Sequence, residues 1–83
     1  MSIGIVGLGY VGLPLSVTFA EAGEEVIGVD VDHARVDELS SGHSPIEDIS
    51  DERLQAALGS IQFTTRAVEL HEAEAILVCV PTP

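Results

Sequence analysis

Residues 3–12 read IGIVGLGYVG, and this stretch decides the fold. Its first four residues form a short apolar run that stops at a glycine cluster, which is typical of a buried strand. The cluster has the spacing G-x-G-x-x-G, with glycines at positions 7, 9 and 12. A helical spacing of apolar residues begins at Val11, so the glycines lie between a strand and a helix. This is the context that a dinucleotide-binding turn requires.

Each glycine of the motif has its own expected role. Gly7 permits the tight turn, Gly9 lets the backbone approach a pyrophosphate, and Gly12 lets helix and strand pack closely. Free amides at a helix N-terminus bind phosphate without a basic side chain, which suits a chain without lysine. The alternative is a glycine-rich turn that packs the helix on the strand and binds nothing. We expect a phosphate-binding turn made of Gly7, Leu8, Gly9, Tyr10, Val11 and Gly12.

The rest of the chain alternates strand and helix patterns. Helices are predicted over residues 11–21, 32–41 and 51–58, with a short helical segment over 66–72. Further strands are predicted over 25–30, 61–65 and 75–80. In the first helix the apolar stripe is expected to comprise Val11, Leu15, Phe19 and Ala22.

The strand types indicate an order in the sheet. Continuous apolar runs in the first, second and fourth strands indicate burial on both faces, whereas the third alternates, as an edge strand does. Strand order 3-2-1-4 with right-handed crossovers agrees with this, so the predicted class is α/β, the first half of a doubly wound (Rossmann) parallel sheet. The apolar fourth strand would then also be an edge, which self-contained domains avoid. We therefore expect residues 1–83 to be a truncated, N-terminal part of a dinucleotide-binding domain.

Asp30 ends the second strand and is expected to select the cofactor. An acidic residue at this place hydrogen-bonds the adenosine ribose hydroxyls and repels a 2′-phosphate, which favours NAD over NADP. Asp32 is expected to be the N-cap of the second helix. Arg35 could flank the adenine or ribose, or could pair with Asp32 or Glu38 at helical spacing. Because an arginine here can also accommodate a 2′-phosphate, the preference for NAD depends on Asp30.

The composition excludes several classes of partner. The chain has 14 Asp and Glu against 3 Arg, with a formal net charge of −11. No basic patch is available for nucleic acid or an anionic membrane. The longest apolar run, residues 75–80, is too short to span a bilayer, and the N-terminus lacks the features of a signal peptide. We expect a cytoplasmic protein, and the absence of lysine favours adaptation to high salt over a plain acidic surface.

Four segments carry a resemblance that extends over essentially the whole chain. They are GLGYVGLPL (7–15), VIGVDVD (26–32), SPI (44–46) and LVCVPTP (77–83). In this order and spacing they resemble the UDP-glucose/GDP-mannose dehydrogenase family. The resemblance implies an NAD-binding Rossmann domain in an enzyme that oxidises the C6 alcohol of a UDP-sugar to the uronate with two NAD in succession. The GLP and VPTP sequences look more like the UDP-N-acetylhexosamine branch (ManNAc-type) than the UDP-glucose branch.

The resemblance also implies site residues. Residues 7–12 would hold the pyrophosphate, and Asp30 with Arg35 would contact the adenosine ribose. The carboxyl end of the fourth strand would line the cofactor cleft, with the threonine nearest the nicotinamide: Val78, Cys79, Val80, Pro81 and Thr82. The parent enzyme would be a homo-oligomer that serves polysaccharide biosynthesis.

No residue of the chain is expected to be catalytic. The catalytic cysteine, lysine, asparagine and sugar-binding residues of the family lie in a later region, so this chain alone is expected to be inactive. Cys79 lies within an apolar strand and is expected to be a small buried thiol. The three histidines show no metal-ligand spacing, so no metal is expected.

Two other functions remain open at this point. One is a freestanding NAD-binding or sensing module without catalysis. The other is a different Rossmann dehydrogenase, of the 6-phosphogluconate or hydroxyisobutyrate type, against which the Gly-Tyr-Val-Gly and Pro-Thr-Pro sequences argue.

Overall fold

The computed structural model describes residues 1–79 of the chain. Strands and helices alternate along these residues, as the sequence pattern predicts. Their order is β1 (Ser2–Val6), α1 (Gly12–Glu21), β2 (Glu25–Val29), α2 (His33–Ser40), α3 (Asp51–Ala57), a 3₁₀ helix (Leu58–Ser60), β3 (Ile61–Thr64), a second 3₁₀ helix (Ala67–Glu72) and β4 (Ala75–Val78).

The strands form one parallel sheet in the order β3-β2-β1-β4. This confirms the predicted fold class and strand order. At the carboxyl ends of the central strands, Val6 of β1 pairs with Val29 of β2 and with Val78 of β4. The chain segments that leave these three strands therefore emerge at one edge of the sheet, which is where ligands bind in open α/β folds.

The buried face of α1 differs from the expected apolar stripe. Its buried residues are Gly12, Leu13, Ser16, Val17 and Ala20, whereas Val11 is 59% exposed and Ala22 is also exposed. Leu15 and Phe19 pack against the core but are only partly buried. The reason is the contact of Gly12 with the backbone of the glycine turn, which sets the rotation of the helix about its axis.

Local signals fix the ends of the helices. The Asp32 side chain accepts hydrogen bonds from the amides of Ala34 and Arg35, so it is the predicted N-cap of α2. Gly23 and Gly42 follow α1 and α2 with φ of 91° and 89°. These left-handed conformations favour glycine and end both helices near the predicted positions.

The connection from α2 to α3 is anchored in the core. Ile46 is 6% exposed and Ile49 is 2% exposed, and both belong to the main hydrophobic cluster. Turn residues in this segment predict a loop, but the two isoleucines fasten it to the domain.

β4 lies at the edge of the sheet and exposes its apolar side chains. Ile76, Leu77 and Val78 are 49%, 39% and 68% exposed. The predicted apolar composition and edge position of this strand are confirmed. The burial on both faces that its apolar run indicates is wrong within residues 1–79, because all four residues of β4 are exposed, and the strand ends at Val78, before Cys79. Within residues 1–79, each helix falls short of the length and apolar character that crossing a membrane demands.

Candidate cofactor-binding site

The glycine turn between β1 and α1 has the geometry that its sequence predicts. Gly7 has a φ of 94°, and its amide donates a 2.8 Å hydrogen bond to the Val29 carbonyl of β2. A Cβ placed on Gly12 would lie only 1.6 Å from the Gly7 carbonyl oxygen. A left-handed φ and a close backbone contact therefore require glycine at positions 7 and 12.

Gly9 differs from these two glycines because the space beside it is open. Apart from Gly9 and its two chain neighbours, no atom of residues 1–79 lies within 4 Å of a Cβ placed there. Within residues 1–79, the amides of Gly9, Tyr10 and Val11 donate to no backbone or side-chain acceptor. The turn therefore presents open space and unpaired N–H groups beside the N-terminus of α1, an arrangement that suits an anion.

Leu8 anchors the turn in the sheet. Its side chain is 0% exposed, and a Cβ on Gly28 of β2 would lie 3.0 Å from Leu8 Cδ2. The absence of a side chain at Gly28 thus makes room for Leu8. The motif leaves the residue between its first two glycines unspecified. Gly28, which lies among the apolar residues 26–29 of β2, is the signal that could have predicted this contact.

Asp30 holds the same turn from the end of β2. Its Oδ2 accepts a 2.9 Å hydrogen bond from the Leu8 amide, and its Oδ1 accepts one of 3.0 Å from the Asp32 amide. A carboxylate has about four acceptor positions, so both oxygens retain capacity for a further donor. Asp30 is therefore a structural partner of the turn as well as a candidate ligand contact.

Arg35 contacts the glycine turn from α2. Its Nη1 donates a 2.6 Å hydrogen bond to the Leu8 carbonyl, a partner that the sequence does not indicate. Of the two predicted acidic partners, Glu38 lies with its Oε1 3.9 Å from Arg35 Nε. The Asp32 carboxylate instead accepts from the Arg35 backbone amide. An Arg35 contact with ribose remains a prediction.

These residues line one cleft of about 880 Å³ at the carboxyl edge of the sheet. Its lining includes the glycine turn, Asp30 and Arg35, and Val78 and Cys79. A cleft of this size is large enough for a sizeable organic ligand. The structure brings together the predicted residues 7–11 of the turn, Asp30 after β2, Arg35 of α2, and Val78 and Cys79 at the end of β4. Gly12 does not line the cleft, because it is buried at the start of α1.

Cys79 is more accessible than the sequence predicts. It is partly buried and packs against the core, but it also lines the cleft. The correction follows from the edge position of β4, since no further strand among residues 1–79 covers it. Val80, Pro81 and Thr82 lie outside the described residues, so their predicted contribution to the cleft remains a prediction.

Comparisons with known proteins agree with this geometry. Residues 1–83 match the family model described as UDP-glucose/GDP-mannose dehydrogenase family, NAD binding domain. A UDP-N-acetyl-D-mannosamine dehydrogenase from Pyrococcus horikoshii is 36% identical over 86 residues, which cover 100% of this chain and 21% of that protein. One from Methanococcus maripaludis is 40% identical over 81 residues, which cover 95% of this chain and 18% of that protein.

A solved structure shows the same fold. The crystal structure of a ternary complex of GDP-mannose dehydrogenase from Pseudomonas aeruginosa matches with a TM-score of 0.93 at 37% identity, covering 100% of this chain and 20% of that one. The chain thus spans about a fifth of the length of these relatives. The family match confirms the resemblance seen in the sequence and identifies the cofactor as NAD. The chain belongs to the UDP-glucose/GDP-mannose dehydrogenase family, and residues 1–83 match the NAD-binding domain of that family.

Proposed function

We propose that the glycine turn binds the pyrophosphate of NAD through its backbone amides. The observation that carries this proposal is the state of Gly9: open space lies beside it, and the amides of Gly9, Tyr10 and Val11 have no acceptor within residues 1–79. A pyrophosphate placed there could accept hydrogen bonds from these amides, and the positive end of the α1 dipole would attract it. No basic side chain is needed for this contact, in keeping with the net charge of −11.

In this proposal, Asp30 is the residue that makes the site prefer NAD to NADP. Its two oxygens each accept one backbone N–H, so each can accept a further hydrogen bond from a hydroxyl of the adenosine ribose. In NADP a 2′-phosphate replaces the 2′-hydroxyl. The phosphate oxygens can only accept hydrogen bonds from Asp30, which has none to donate, and their negative charge would lie beside its carboxylate. Asp30 therefore favours NAD through both hydrogen bonding and electrostatics.

The whole protein that contains this domain would oxidise the C6 alcohol of a UDP-sugar to the uronate. That conversion removes four electrons, and NAD accepts two as a hydride, so one sugar consumes two NAD and one water. The relatives support this reaction class through their names, UDP-N-acetyl-D-mannosamine dehydrogenase and GDP-mannose dehydrogenase. Within it we favour a UDP-N-acetylhexosamine, because two of the three relatives are named for that sugar class.

In this proposal the chain supplies cofactor binding and no catalytic group. Its one thiol, Cys79, follows β4 directly, and its amide donates a 2.7 Å hydrogen bond to the Val6 carbonyl. That bond continues the hydrogen bonding between β1 and β4 to Cys79, which lines the cleft. Catalytic and sugar-binding residues would come from other parts of a cytoplasmic, homo-oligomeric enzyme of polysaccharide biosynthesis.

The natural full-length polypeptide tests this function. It is incubated with NAD and each of a panel of UDP-sugars, and NADH is followed by its absorbance. We expect two NADH per molecule of one UDP-N-acetylhexosamine, and no NADH from residues 1–83 alone. A full-length protein that binds NAD but reduces none of it with any nucleotide sugar would contradict the proposal and favour a sensing module.

A further inference from the structure

We infer that Gly28 of β2 is a positioning residue for the glycine turn, because it leaves a gap in the sheet that the Leu8 side chain fills. The inference rests on the proposed NAD site, whose amides directly follow Leu8. It assigns a role in cofactor binding to a residue that lies outside the G-x-G-x-x-G motif and does not line the cleft.

The first support is a row of residues across the sheet. Gly28 pairs with Ile5 of β1 on one side and with Phe63 of β3 on the other. Paired residues of neighbouring strands direct their side chains to the same face of a sheet. Ile5 is 0% exposed and Phe63 packs against the core, but Gly28 places no side chain between them. The row therefore has a gap at β2.

The second support is that Leu8 occupies this gap. A Cβ placed on Gly28 would lie 3.0 Å from Leu8 Cδ2 and 3.0 Å from Phe63 Cδ1. Both distances are shorter than an ordinary contact between carbon atoms, so these two side chains take the space directly above Gly28. Leu8 is fully buried although it belongs to a loop. It thus completes the row with a side chain that comes from outside the sheet.

The third support is the place of Leu8 within the turn. Gly9 follows it directly, and the Leu8 amide donates a 2.9 Å hydrogen bond to Asp30 Oδ2. A large side chain at position 28 would displace Leu8, and would move both the Gly9 amide and this hydrogen bond. Glycines on either side leave the turn flexible by itself. The gap at Gly28 therefore preorganises the turn, which spares its ligand the entropy cost of ordering it.

A double variant that moves side-chain volume from the turn to the strand tests this inference. Leu8→Ala removes as many carbon atoms as Gly28→Val adds, so Gly28→Val with Leu8→Ala fills the gap from β2. Volume-conserving changes cost little stability, and valine suits a strand. We expect denaturant unfolding to show that the double variant regains most of the stability lost by Leu8→Ala alone.

Binding should not return with stability in this double variant. Because the turn has lost its attachment to the sheet, calorimetric titration should show NAD binding about tenfold weaker than in the parent chain. Parent-like NAD affinity in the double variant would overturn the inference, since Leu8 would then serve packing alone. A double variant that does not fold would also overturn it, because the gap would then not accept a side chain from β2.

Gly4→Ala is the matched control on the opposite face of the sheet. Gly4 adjoins Ile5 in β1, and successive residues of a strand face opposite sides. A Cβ on Gly4 would lie 2.6 Å from Leu70 Cδ2, and neither residue lines the cleft. We expect Gly4→Ala to lower stability and to leave the NAD affinity of the folded chain unchanged. A loss of affinity as large as that of the double variant would overturn the inference, because any disturbance of the sheet would then weaken binding.

Hydrogen exchange without ligand separates this inference from the proposed NAD site. The amide of residue 8 is measured relative to that of Leu54, which donates to the Ser50 carbonyl in α3 and reports global stability. We expect the double variant to accelerate exchange at residue 8 about tenfold relative to Leu54, and an unchanged ratio would overturn the inference. If the parent chain binds no NAD, the proposed site fails, while the exchange ratio still decides whether Gly28 positions the turn.

Discussion

The Leu8 amide donates a 2.9 Å hydrogen bond to Asp30 Oδ2 across 22 residues of sequence. This contact joins the glycine turn to the residue that we propose selects the cofactor. The two features of the motif, the glycines and the distant acidic residue, are therefore parts of one hydrogen-bonded structure. A change at either residue is expected to affect both the shape of the turn and the choice between NAD and NADP.

Substitutions at two glycines of the turn should distinguish effects on stability from effects on NAD binding. We expect Gly9→Ala to preserve or slightly raise the melting temperature, because its Cβ meets no atom within 4 Å and alanine restricts the unfolded chain. The same methyl group would occupy the proposed pyrophosphate position and abolish NAD binding. Calorimetric titration together with thermal melts measures both effects, and undiminished NAD affinity in Gly9→Ala would contradict the proposed position.

Gly12→Ala is the matched comparison within the same turn. Its Cβ would lie 1.6 Å from the Gly7 carbonyl oxygen, so the backbone must move. Forced overpacking of this kind costs about 1–3 kcal/mol, and we expect a clear drop in melting temperature. A Gly12→Ala chain as stable as the parent chain would show that the backbones of the turn and of α1 can move apart without a loss of stability.

Leu8→Ala tests the anchor of the turn. Leu8 is fully buried against Gly28, and truncating a buried leucine costs about 2.7–5 kcal/mol. Denaturant unfolding should show a loss of this size, while Val68→Ala, at a side chain that is 62% exposed, should change little. Similar losses for the two variants would refute the anchoring role.

The contribution of the ion pair between α1 and α3 to stability should be measurable as a loss at low pH. Arg53 Nε and Nη2 each donate a 2.7 Å hydrogen bond to Glu21, and this hydrogen bonding lowers the pKa of Glu21 below its ordinary value of 4.5. A lowered folded-state pKa contributes stability that is fully present above the ordinary value and is lost as the pH falls through the folded value. We expect the parent chain to be more stable than Glu21→Gln near neutral pH, with the difference shrinking below about pH 4.5.

Glu47→Gln is the control for that comparison, since it removes the same charge from an exposed side chain. Both substitutions remove one negative charge from a chain whose net charge is −11, and so both reduce the repulsion among its carboxylates. Glu47→Gln measures that effect alone. A stability difference for Glu21→Gln that stays constant from neutral pH to pH 3 would contradict a role for the ion pair.

If the acidic surface is an adaptation to high salt, as the absence of lysine favours, added salt should stabilise the domain. At molar ionic strength the screening length falls to about 3 Å, so repulsion among exposed carboxylates is largely removed. We expect the melting temperature to rise steadily from low salt to molar KCl. A domain that is no less stable at low salt would contradict adaptation and leave an ordinary acidic surface.

Much of the fold follows from local patterns in the sequence. Apolar runs, glycine positions and the cap at Asp32 predict the strands, the helix ends and the order 3-2-1-4, all of which the structure confirms. The buried face of α1 was predicted wrongly. Hydrophobic spacing alone placed Val11 inward, whereas the contact between Gly12 and Gly7 sets the helix rotation. A steric requirement of one residue thus prevailed over the apolar pattern.

The candidate site was predictable in its residues but not in its connections. The motif identifies residues 7–12 and Asp30, and all of these except Gly12 line the cleft, while their contact with the cofactor stays a prediction. The bond from Arg35 to the Leu8 carbonyl could not be predicted, because it depends on how α2 lies over the turn. The resemblance implies that Cys79 lines the cleft, as it does, but its apolar neighbours in sequence predict a fully buried thiol, whereas Cys79 is only partly buried at the edge of the sheet.

Calorimetric titration of the chain with NAD and NADP, before and after Asp30→Ala, tests the central claim most directly. The account predicts that the parent chain binds NAD more tightly than NADP and that Asp30→Ala removes this preference. Asp30→Ala should also loosen the turn through Leu8 and weaken the binding of both cofactors. Equal affinity of the unmutated chain for NAD and NADP would contradict the assignment of Asp30 as the residue that selects NAD.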